Sequence, residues 1–172
     1  MLSEVKSTTK KQCPSTPRTQ RLKQTFIDHI GIVVNDMDKS IAFYESVLGW
    51  GPFKVMEVPM EGFIFKGNAG DAILKLAFAY AGDIEIELIQ VLKGETPHSE
   101  HLRVKGEGLQ HVRCCVDDVD AELAELAKDG IEPVFYQEMK GMGKMFAYLN
   151  TDKVGGVMLE LLNKKLKVKM TD

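Results

Sequence analysis

The sequence lacks the features that mark several large classes of protein. None of its apolar runs approaches the length needed to span a membrane. Its net charge is −3 with histidine neutral, so the composition provides no field of positive charge for a nucleic-acid backbone. A phosphate-binding loop, a dinucleotide fingerprint and a nucleophile elbow are also missing. We therefore expect neither a nucleic-acid nor a membrane partner, and hydrolases and nucleotide-dependent enzymes rank far behind other classes.

Cysteine is scarce as well, with three residues in a chain of 172. Cys114 and Cys115 are adjacent, so in a strand they would point to opposite faces and could not pair with each other. An odd, sparse set of cysteines without a signal peptide favours a reducing compartment. We expect a cytoplasmic location.

The two ends of the chain differ in composition from its centre. Residues 1–24 are rich in Ser, Thr, Lys and Arg and contain a single acid, Glu4. This composition predicts a flexible polar extension; a mitochondrial transit segment, which would place the protein in the matrix, is the alternative. Residues 164–172 are predicted to form a basic tail.

The centre of the chain repeats itself. Residues 28–38 and 110–120 align without a gap, and His111 follows His29 by 82 positions (111 − 29). Each block starts with a polar residue and a histidine, continues through an apolar strand and ends in an acidic turn. Two modules of the same fold are therefore expected.

Each repeat continues into an amphipathic helix. Apolar residues recur at helical spacing in both halves: Met37, Ile41, Tyr44 and Leu48 in the first, and Val119, Leu123 and Leu126 in the second. Asn35 and Asp117 are predicted to be the N-terminal caps. Asp38 and Asp120 would lie in the positively polarised first turns, and Gly49 and Gly130 would end the helices.

Three strand-like runs follow each helix. They are residues 53–59, 72–79 and 83–91 in the first half, and 132–138, 144–149 and 156–162 in the second. A long loop is expected around residues 62–70. The pattern predicts an α+β fold of two tandem βαβββ modules, which form a cupped, barrel-like mixed sheet around a metal-binding cleft. The modules are assigned to residues 25–92 and 107–163, with a linker at 93–106.

Strand parity places four potential metal ligands on one side of this sheet. Side chains alternate along a strand, so His29, Glu87, His111 and Glu160 all face away from the apolar residues that pack under the helices. Two imidazoles and two carboxylates would meet in the cleft, where unpaired carboxylates are costly to bury. One divalent cation would supply the missing charge, and these nitrogen and oxygen donors suit Zn, Co, Ni, Mn or Fe.

Other polar residues near these positions have more than one interpretation. A lone histidine is usually only a polar residue, and His98 and His101, which lie in the linker outside the repeat, are expected to be solvated. Glu85 and Arg113 should face the same cleft as the ligands. Arg113 could bind a carboxylate or phosphate of the substrate, or form an internal ion pair with Glu85; the sequence leaves both open.

Four stretches of sequence resemble the vicinal-oxygen-chelate (glyoxalase/bleomycin resistance/dioxygenase) superfamily. They are residues 28–34 (DHIGIVV), 86–89 (IELI), 106–112 (GEGLQHV) and 155–161 (GGVMLEL). The likeness covers residues 26–162, and within the superfamily it is greatest to methylmalonyl-CoA epimerases and glyoxalase-like proteins.

The resemblance implies a homodimer of paired modules, each chain holding one metal that binds substrate oxygens and stabilises an enediolate. A glutamate ligand that can leave the metal would be the base, with Glu160 the first candidate for this catalytic role and Glu87 the second. We therefore expect a metal-dependent isomerase or epimerase, or a glyoxalase-like lyase. Its substrate would be a small molecule, and an acyl-CoA is one candidate.

The sequence departs from the epimerases in two places. They carry a further glutamate in a Glu-Gln-Gly segment, whereas the comparable residues 67–72 contain no such triplet. Asp71 would be the substitute at the substrate site, because Glu61 lies too far upstream. In addition, the epimerases have a pair of histidines where this chain has Gln110 and His111. The inferred ligand, His111, is kept, and the residue before it differs.

Two other functions remain open. Two histidines and one glutamate would satisfy the facial triad of a non-haem iron extradiol-type dioxygenase, although Glu87, as a fourth ligand, would occupy space that oxygen needs. A non-catalytic binding or resistance protein could also hold a small molecule in the cleft. Oxygen uptake would identify the first, and tight binding without metal would identify the second.

Overall fold

The computed structural model describes residues 22–23, 26–141 and 143–167. The predictions for residues 1–21 of the polar extension and for residues 168–172 of the basic tail therefore lie outside the described residues. Both repeated segments lie within them.

The first half contains four strands and one helix. Strand β1 (Ile27–Val33) leads into helix α1 (Met37–Phe43), which a π-helical turn (Tyr44–Leu48) extends. The other strands are β2 (Lys54–Phe65), β3 (Asn68–Ala81) and β4 (Ile84–Lys93).

A second helix, α2 (Pro97–Lys105), lies in the segment expected to be a linker. The second half then repeats the first: β5 (Gly108–Val116), α3 (Val119–Leu126), β6 (Pro133–Met139), β7 (Gly143–Leu149) and β8 (Met158–Asn163). The twofold order of strand, helix and three strands is confirmed. Within the described part of the chain, α2 is the longest α-helix at nine residues, and no helix there is long and apolar enough to cross a membrane.

The eight strands form one closed sheet in the order β1-β4-β3-β2-β6-β7-β8-β5. Strand β1 is parallel to β4 and β5 is parallel to β8, whereas the other neighbours are antiparallel. Two seams join the halves, β1 with β5 and β2 with β6. The predicted α+β fold with a barrel-like mixed sheet is confirmed.

Helices α1 and α3 each cover an apolar patch of the sheet. Under α1, Met37 packs with Val34, Ala77, Ile86 and Leu88. Under α3, Val119 and Leu123 pack with Cys114, Val116, Ala147, Leu149 and Leu161. Because side chains alternate along a strand, the residues between these apolar positions face the opposite side, into the interior of the closed sheet. That interior is where the repeated polar residues lie.

The predicted caps of α1 and α3 were wrong by one residue. The caps are Asp36 and Asp118, each in an extended conformation, with a side chain that accepts a hydrogen bond from the backbone N–H three residues later. Both sites have two adjacent capping residues, and the helix begins where the next side chain, Met37 or Val119, becomes buried. The predicted helix ends at Gly49 and Gly130 are confirmed, because both residues adopt positive φ angles, of 69° and 71°.

The loop expected around residues 62–70 is instead a long hairpin. Strand β2 continues to Phe65 and β3 starts at Asn68, so that the turn between them is two residues long. A register shift between Met60 and Phe63 absorbs the extra residues of β2, and Gly62 has a φ of 66° there. Burial of Phe63 and Phe65 in an apolar cluster favours the extended strand over a loop.

The cap positions can be tested by alanine substitution. We expect Asp118→Ala to lower the free energy of unfolding by about 1 kcal/mol, because the N–H of Ala121 loses its acceptor. Asp117→Ala is the matched control, since Asp117 is exposed and does not accept the N–H of Ala121, and it should change stability little. Urea denaturation measures both, and an Asp117→Ala variant that is the less stable of the two would contradict the assignment.

Candidate metal centre

The structure brings together the four side chains that the repeat singled out. Oε2 of Glu87 lies 3.1 Å from Nε2 of His29 and 3.6 Å from Nε2 of His111. Potential ligand atoms of these three residues all lie within 4.8 Å of one another. Oε2 of Glu160 lies 3.4 Å from Nε2 of His111. Strands β1, β4, β5 and β8, which are consecutive around the closed sheet, supply one donor each.

His29 is held in place by a carboxylate behind it. Its Nδ1 lies 2.8 Å from Oε2 of Glu85, and Tyr80 and Arg113 donate further hydrogen bonds to that carboxylate. Burial disfavours the charged imidazole, but the hydrogen bonds to Glu85 and Glu87 outweigh it and raise the pKa of His29 to about 9. When Glu85 accepts the Nδ1 proton, Nε2 is the nitrogen left to face a metal.

His111 is positioned by neutral groups. Its Nδ1 lies 2.7 Å from Oε1 of Gln110, and the hydroxyl of Tyr148 lies 3.5 Å from Nε2. Gly31 lies directly beneath the ring, so close that a Cβ at this position would overlap the imidazole. Gln110 therefore provides a hydrogen-bond acceptor that sets the orientation of the His111 ring.

The donor set has the composition of a divalent metal site. Glu87 and Glu160 are 8% exposed and both histidines are at most 1% exposed, so two carboxylates and two imidazoles share a nearly dry space. Burial opposes ionisation of Glu160, but His111, His29 and Arg113 outweigh it and lower its pKa. Two imidazole nitrogens and two carboxyl groups suit Zn²⁺ and its neighbours in the first transition series. The four residues therefore fit the divalent metal ion that the sequence predicts.

Arg113 forms buried ion pairs. Its Nη2 lies 2.9 Å from Oε2 of Glu85 and its Nε lies 3.2 Å from Oδ1 of Asp28. Burial raises the cost of ionising both acids, yet their hydrogen bonds outweigh it and hold the pKa of each at about 2. Of the two interpretations that the sequence left open, the ion pair with Glu85 is therefore present.

A cavity of about 240 Å³ opens beside the donors. Glu87, Glu160, Tyr148, Gln137 and His98 supply its polar lining, and the rest is apolar: Val58, Pro59, Met60, Leu74, Leu76, Ile89, Phe135 and Phe146. A pocket with a few converging polar groups in an apolar wall is a typical small-molecule site.

Asp71 lies apart from this cavity. It is exposed on β3, where its carboxylate accepts a hydrogen bond of 2.8 Å from the backbone N–H of Gly62. Glu61 is exposed as well, and its backbone oxygen accepts a hydrogen bond from Gln137. The structure thus gathers Glu85 and Arg113 with the four donors and leaves Asp71 outside the group.

The prediction that His98 is solvated was wrong. Its side chain is 2% exposed and lies against the rings of His111, Phe135 and Tyr148. Burial and the neighbouring His111 lower the pKa of His98 to about 3, so its imidazole is neutral. The expectation for His101 was closer, since that residue is partly exposed.

Sequence reasoning also missed Tyr148 and Asp28 as parts of the site. Alternation along β7 would have found Tyr148, because its neighbours Ala147 and Leu149 pack under α3. Asp28 precedes the first histidine, and only the pairing of β1 with β5 brings it to Arg113. For His98, the sequence Thr-Pro-His-Ser was a signal of a capped helix start rather than of a solvated linker.

Known proteins resemble this chain over most of its length. The sequence profile of the Glyoxalase/Bleomycin resistance protein/Dioxygenase superfamily matches residues 28–148. An uncharacterised protein of Bacillus subtilis, YqjC, is 28% identical over 140 residues, which cover 81% of this chain and 92% of YqjC. The mitochondrial methylmalonyl-CoA epimerase of Homo sapiens is 27% identical over 137 residues, which cover 78% of this chain and 72% of the epimerase.

Solved structures share the fold. A variant of Streptomyces coelicolor methylmalonyl-CoA epimerase in complex with 2-nitronate-propionyl-CoA has a TM-score of 0.62 at 22% identity, and the match covers 84% of this chain and 98% of that one. A hypothetical protein from Bacillus halodurans has a TM-score of 0.59 at 24% identity, with coverages of 84% and 97%. At these identities the likeness concerns the fold alone.

A substitution at Gly31 tests whether the His111 ring needs the space beside this residue. We expect Gly31→Ala to weaken Zn²⁺ binding by about 10- to 100-fold, because the new methyl group displaces the His111 ring from the donor set. The control is Ile30→Ala, whose side chain packs under the helix instead. Competition with a chromophoric chelator measures the affinity, and an unchanged value for Gly31→Ala would refute this role.

Arg113 offers a separate test, of stability. Removing it takes a shared cation from Glu85, which keeps His29 and Tyr80 as partners, and from the partly buried Asp28, which keeps Lys167. Arg113→Ala should therefore lower the free energy of unfolding by about 1.5–3 kcal/mol, the contribution of hydrogen bonds to charged groups. Arg103→Ala, which removes an exposed pair with Glu95, is the control and should change stability little. If Arg113 were instead free to bind a ligand, the urea denaturation midpoints of the Arg113→Ala and Arg103→Ala variants would coincide.

Proposed function

The chain belongs to the Glyoxalase/Bleomycin resistance protein/Dioxygenase superfamily, and from this membership we propose that it is a metal-dependent isomerase or epimerase. Its substrate carries a carbonyl beside the carbon that loses a proton. The observation that carries the proposal is the convergence of two imidazoles and two buried carboxylates, of which the carboxylates line a cavity.

The four donors would hold one divalent cation. The members of this superfamily bind such ions, and His29, Glu87, His111 and Glu160 provide a matching donor set. A bound cation would polarise a substrate carbonyl and lower the cost of negative charge on its oxygen. The donor types accept Zn, Co, Ni, Mn or Fe.

Glu160 is the residue that we assign to proton transfer. It lines the cavity, and its lowered pKa keeps it ionised and able to accept a proton. The proton leaves the carbon beside the carbonyl, and the electron pair of the broken C–H bond moves onto the carbonyl oxygen. Return of a proton to the opposite face of the same carbon gives epimerisation, and its return to the neighbouring carbonyl carbon gives isomerisation. Glu87, which lines the same cavity, is the second candidate for this transfer.

The apolar part of the cavity supports this chemistry by excluding water. Leu74, Leu76, Phe135 and Phe146 surround the space in front of the two glutamates. A dry environment strengthens the electrostatic interactions of the carboxylates and prevents solvent from quenching a carbanionic species. Tyr148 is buried, and burial together with Glu160 and Glu87 raises its pKa, so its hydroxyl stays protonated as a hydrogen-bond donor.

An acyl-CoA thioester is the substrate class that we favour. Relatives that share the fold include methylmalonyl-CoA epimerases, one of them described in complex with methylmalonyl-CoA. The cavity of about 240 Å³ would take the acyl group and not the whole coenzyme, whose remainder would extend outside. A glyoxalase-like lyase acting on a hemithioacetal uses the same proton transfer and is the second candidate. Homodimerisation and a cytoplasmic location stay predictions.

Proton exchange with solvent tests the proposal directly. Protein loaded with Co²⁺ or Zn²⁺ is incubated in D₂O with methylmalonyl-CoA or the methylglyoxal–glutathione hemithioacetal, and deuterium incorporation is followed by NMR. We expect Glu160→Gln to lower the exchange rate by about 10²- to 10⁴-fold, because the amide cannot accept the proton. Glu57→Gln makes the same chemical change at an exposed position of β2 and should leave the rate unchanged.

Other outcomes separate the alternatives. Oxygen uptake in the presence of Fe²⁺ would support a dioxygenase, and tight binding of a small molecule without metal and without exchange would support a binding or resistance protein. Metal analysis of His111→Ala checks the donor set itself. Metal content equal to that of the unsubstituted protein would defeat the proposed centre.

A further inference from the structure

His98 occupies a fixed position at the start of α2. Thr96 caps this helix, and the side chains and backbones of Thr96 and Ser99 exchange hydrogen bonds in both directions. Pro97 sets the backbone of the first turn. Thr96 is fully buried, so the helix start is anchored against the sheet. The backbone from which the His98 side chain extends is therefore anchored.

Both ring nitrogens of His98 lack a hydrogen-bond partner in the part of the chain that the structure describes. The ring meets its neighbours edge-on, with centroid distances of 5.5 Å to Tyr148 and 6.0 Å to Phe135. Such contacts fill space and leave the nitrogens unsatisfied. A buried polar atom without a partner destabilises a fold, so its presence beside a cavity points to a partner that arrives with a ligand.

The cavity beside His98 is the one lined by Glu87 and Glu160. None of its described lining residues is a lysine or an arginine, and the nearby Arg113 is engaged by Glu85 and Asp28. A neutral imidazole offers one N–H donor and one acceptor nitrogen. The first turn of a helix, with its positive end, favours this neutral form and suits contact with an electron-rich oxygen.

We propose that His98 determines substrate specificity by donating a hydrogen bond to an oxygen of the bound acyl group. This role rests on the proposed function, because it assumes a substrate that carries oxygen beside its carbonyl. It makes His98 a substrate-contacting residue outside the repeated donor set. A site that hydrogen-bonds a substrate in this way discriminates against analogues without the oxygen, because the imidazole is then left buried and unpaired.

The test is the binding of 2-nitronate-propionyl-CoA, which places anionic oxygens next to a thioester carbonyl. Titration calorimetry compares the Zn²⁺-loaded protein with its His98→Phe and His98→Gln variants. Phenylalanine keeps the planar ring and removes both nitrogens, whereas glutamine keeps a donor. We expect His98→Phe to raise Kd by about 10- to 100-fold and His98→Gln to raise it less. His101→Phe makes the same chemical change on the same helix at a partly exposed position outside this cavity, so it is the control and should alter Kd little.

The Kd, the zinc content and the melting temperature of His98→Phe together decide whether His98 has this role. We expect His98→Phe to keep its zinc and to melt at the same temperature as the unsubstituted protein or higher, because two unpaired polar atoms are removed. A Kd within twofold of the unsubstituted protein, loss of zinc, or a lower melting temperature would each overturn the role of His98 and leave the proposed function standing. If the unsubstituted protein itself binds no nitronate and exchanges no proton, the proposed function and this inference fall together.

Discussion

The antiparallel pairing of β1 with β5 is the interaction on which the centre depends. Its register places Gly31 opposite His111 and Arg113 opposite His29, so each half contributes a histidine to the same short stretch of seam. The two imidazoles then stack with their centroids 5.3 Å apart. The parallel partners β4 and β8 bring Glu87 and Glu160 alongside. A shift of one residue in this seam would turn one histidine toward the helices and dismantle the site.

The two halves have diverged around this shared frame. Arg113 occupies the position that corresponds to Gly31 in the repeat, and the difference gives the histidines unlike surroundings. His29 is backed by Glu85, whose charge Arg113 balances, whereas His111 is backed by the neutral Gln110 and needs the open space above Gly31. A side chain as large as arginine at position 31 would fill the space of the His111 ring. Duplication thus provided the donors, and divergence of one residue pair provided the charge balance.

The repeat and strand parity were sufficient to predict the fold and to select the four donor positions, because both depend on local alternation and on equivalent sites in two halves. The caps at Asp36 and Asp118 and the hairpin of β2 and β3 differed from the prediction for a common reason. In each case the local sequence allowed two alternatives, either of two adjacent capping residues or a loop instead of a strand. Burial of Met37, Val119 or Phe63 decided which alternative forms. His98 was missed because it has no counterpart in the repeat, and its burial follows from how α2 docks on the sheet.

The donors and His98 differ in the polar neighbours that they have. Nε2 of His29 and Nε2 of His111 each lie 3.1–3.6 Å from a glutamate oxygen, so these side chains have one another as neighbours before a ligand binds. A bound metal would have to displace the proton between Nε2 of His29 and Oε2 of Glu87, which would tie its affinity to pH. Neither ring nitrogen of His98 has such a partner among the described residues, and we expect its polarity to be satisfied only when a ligand fills the cavity.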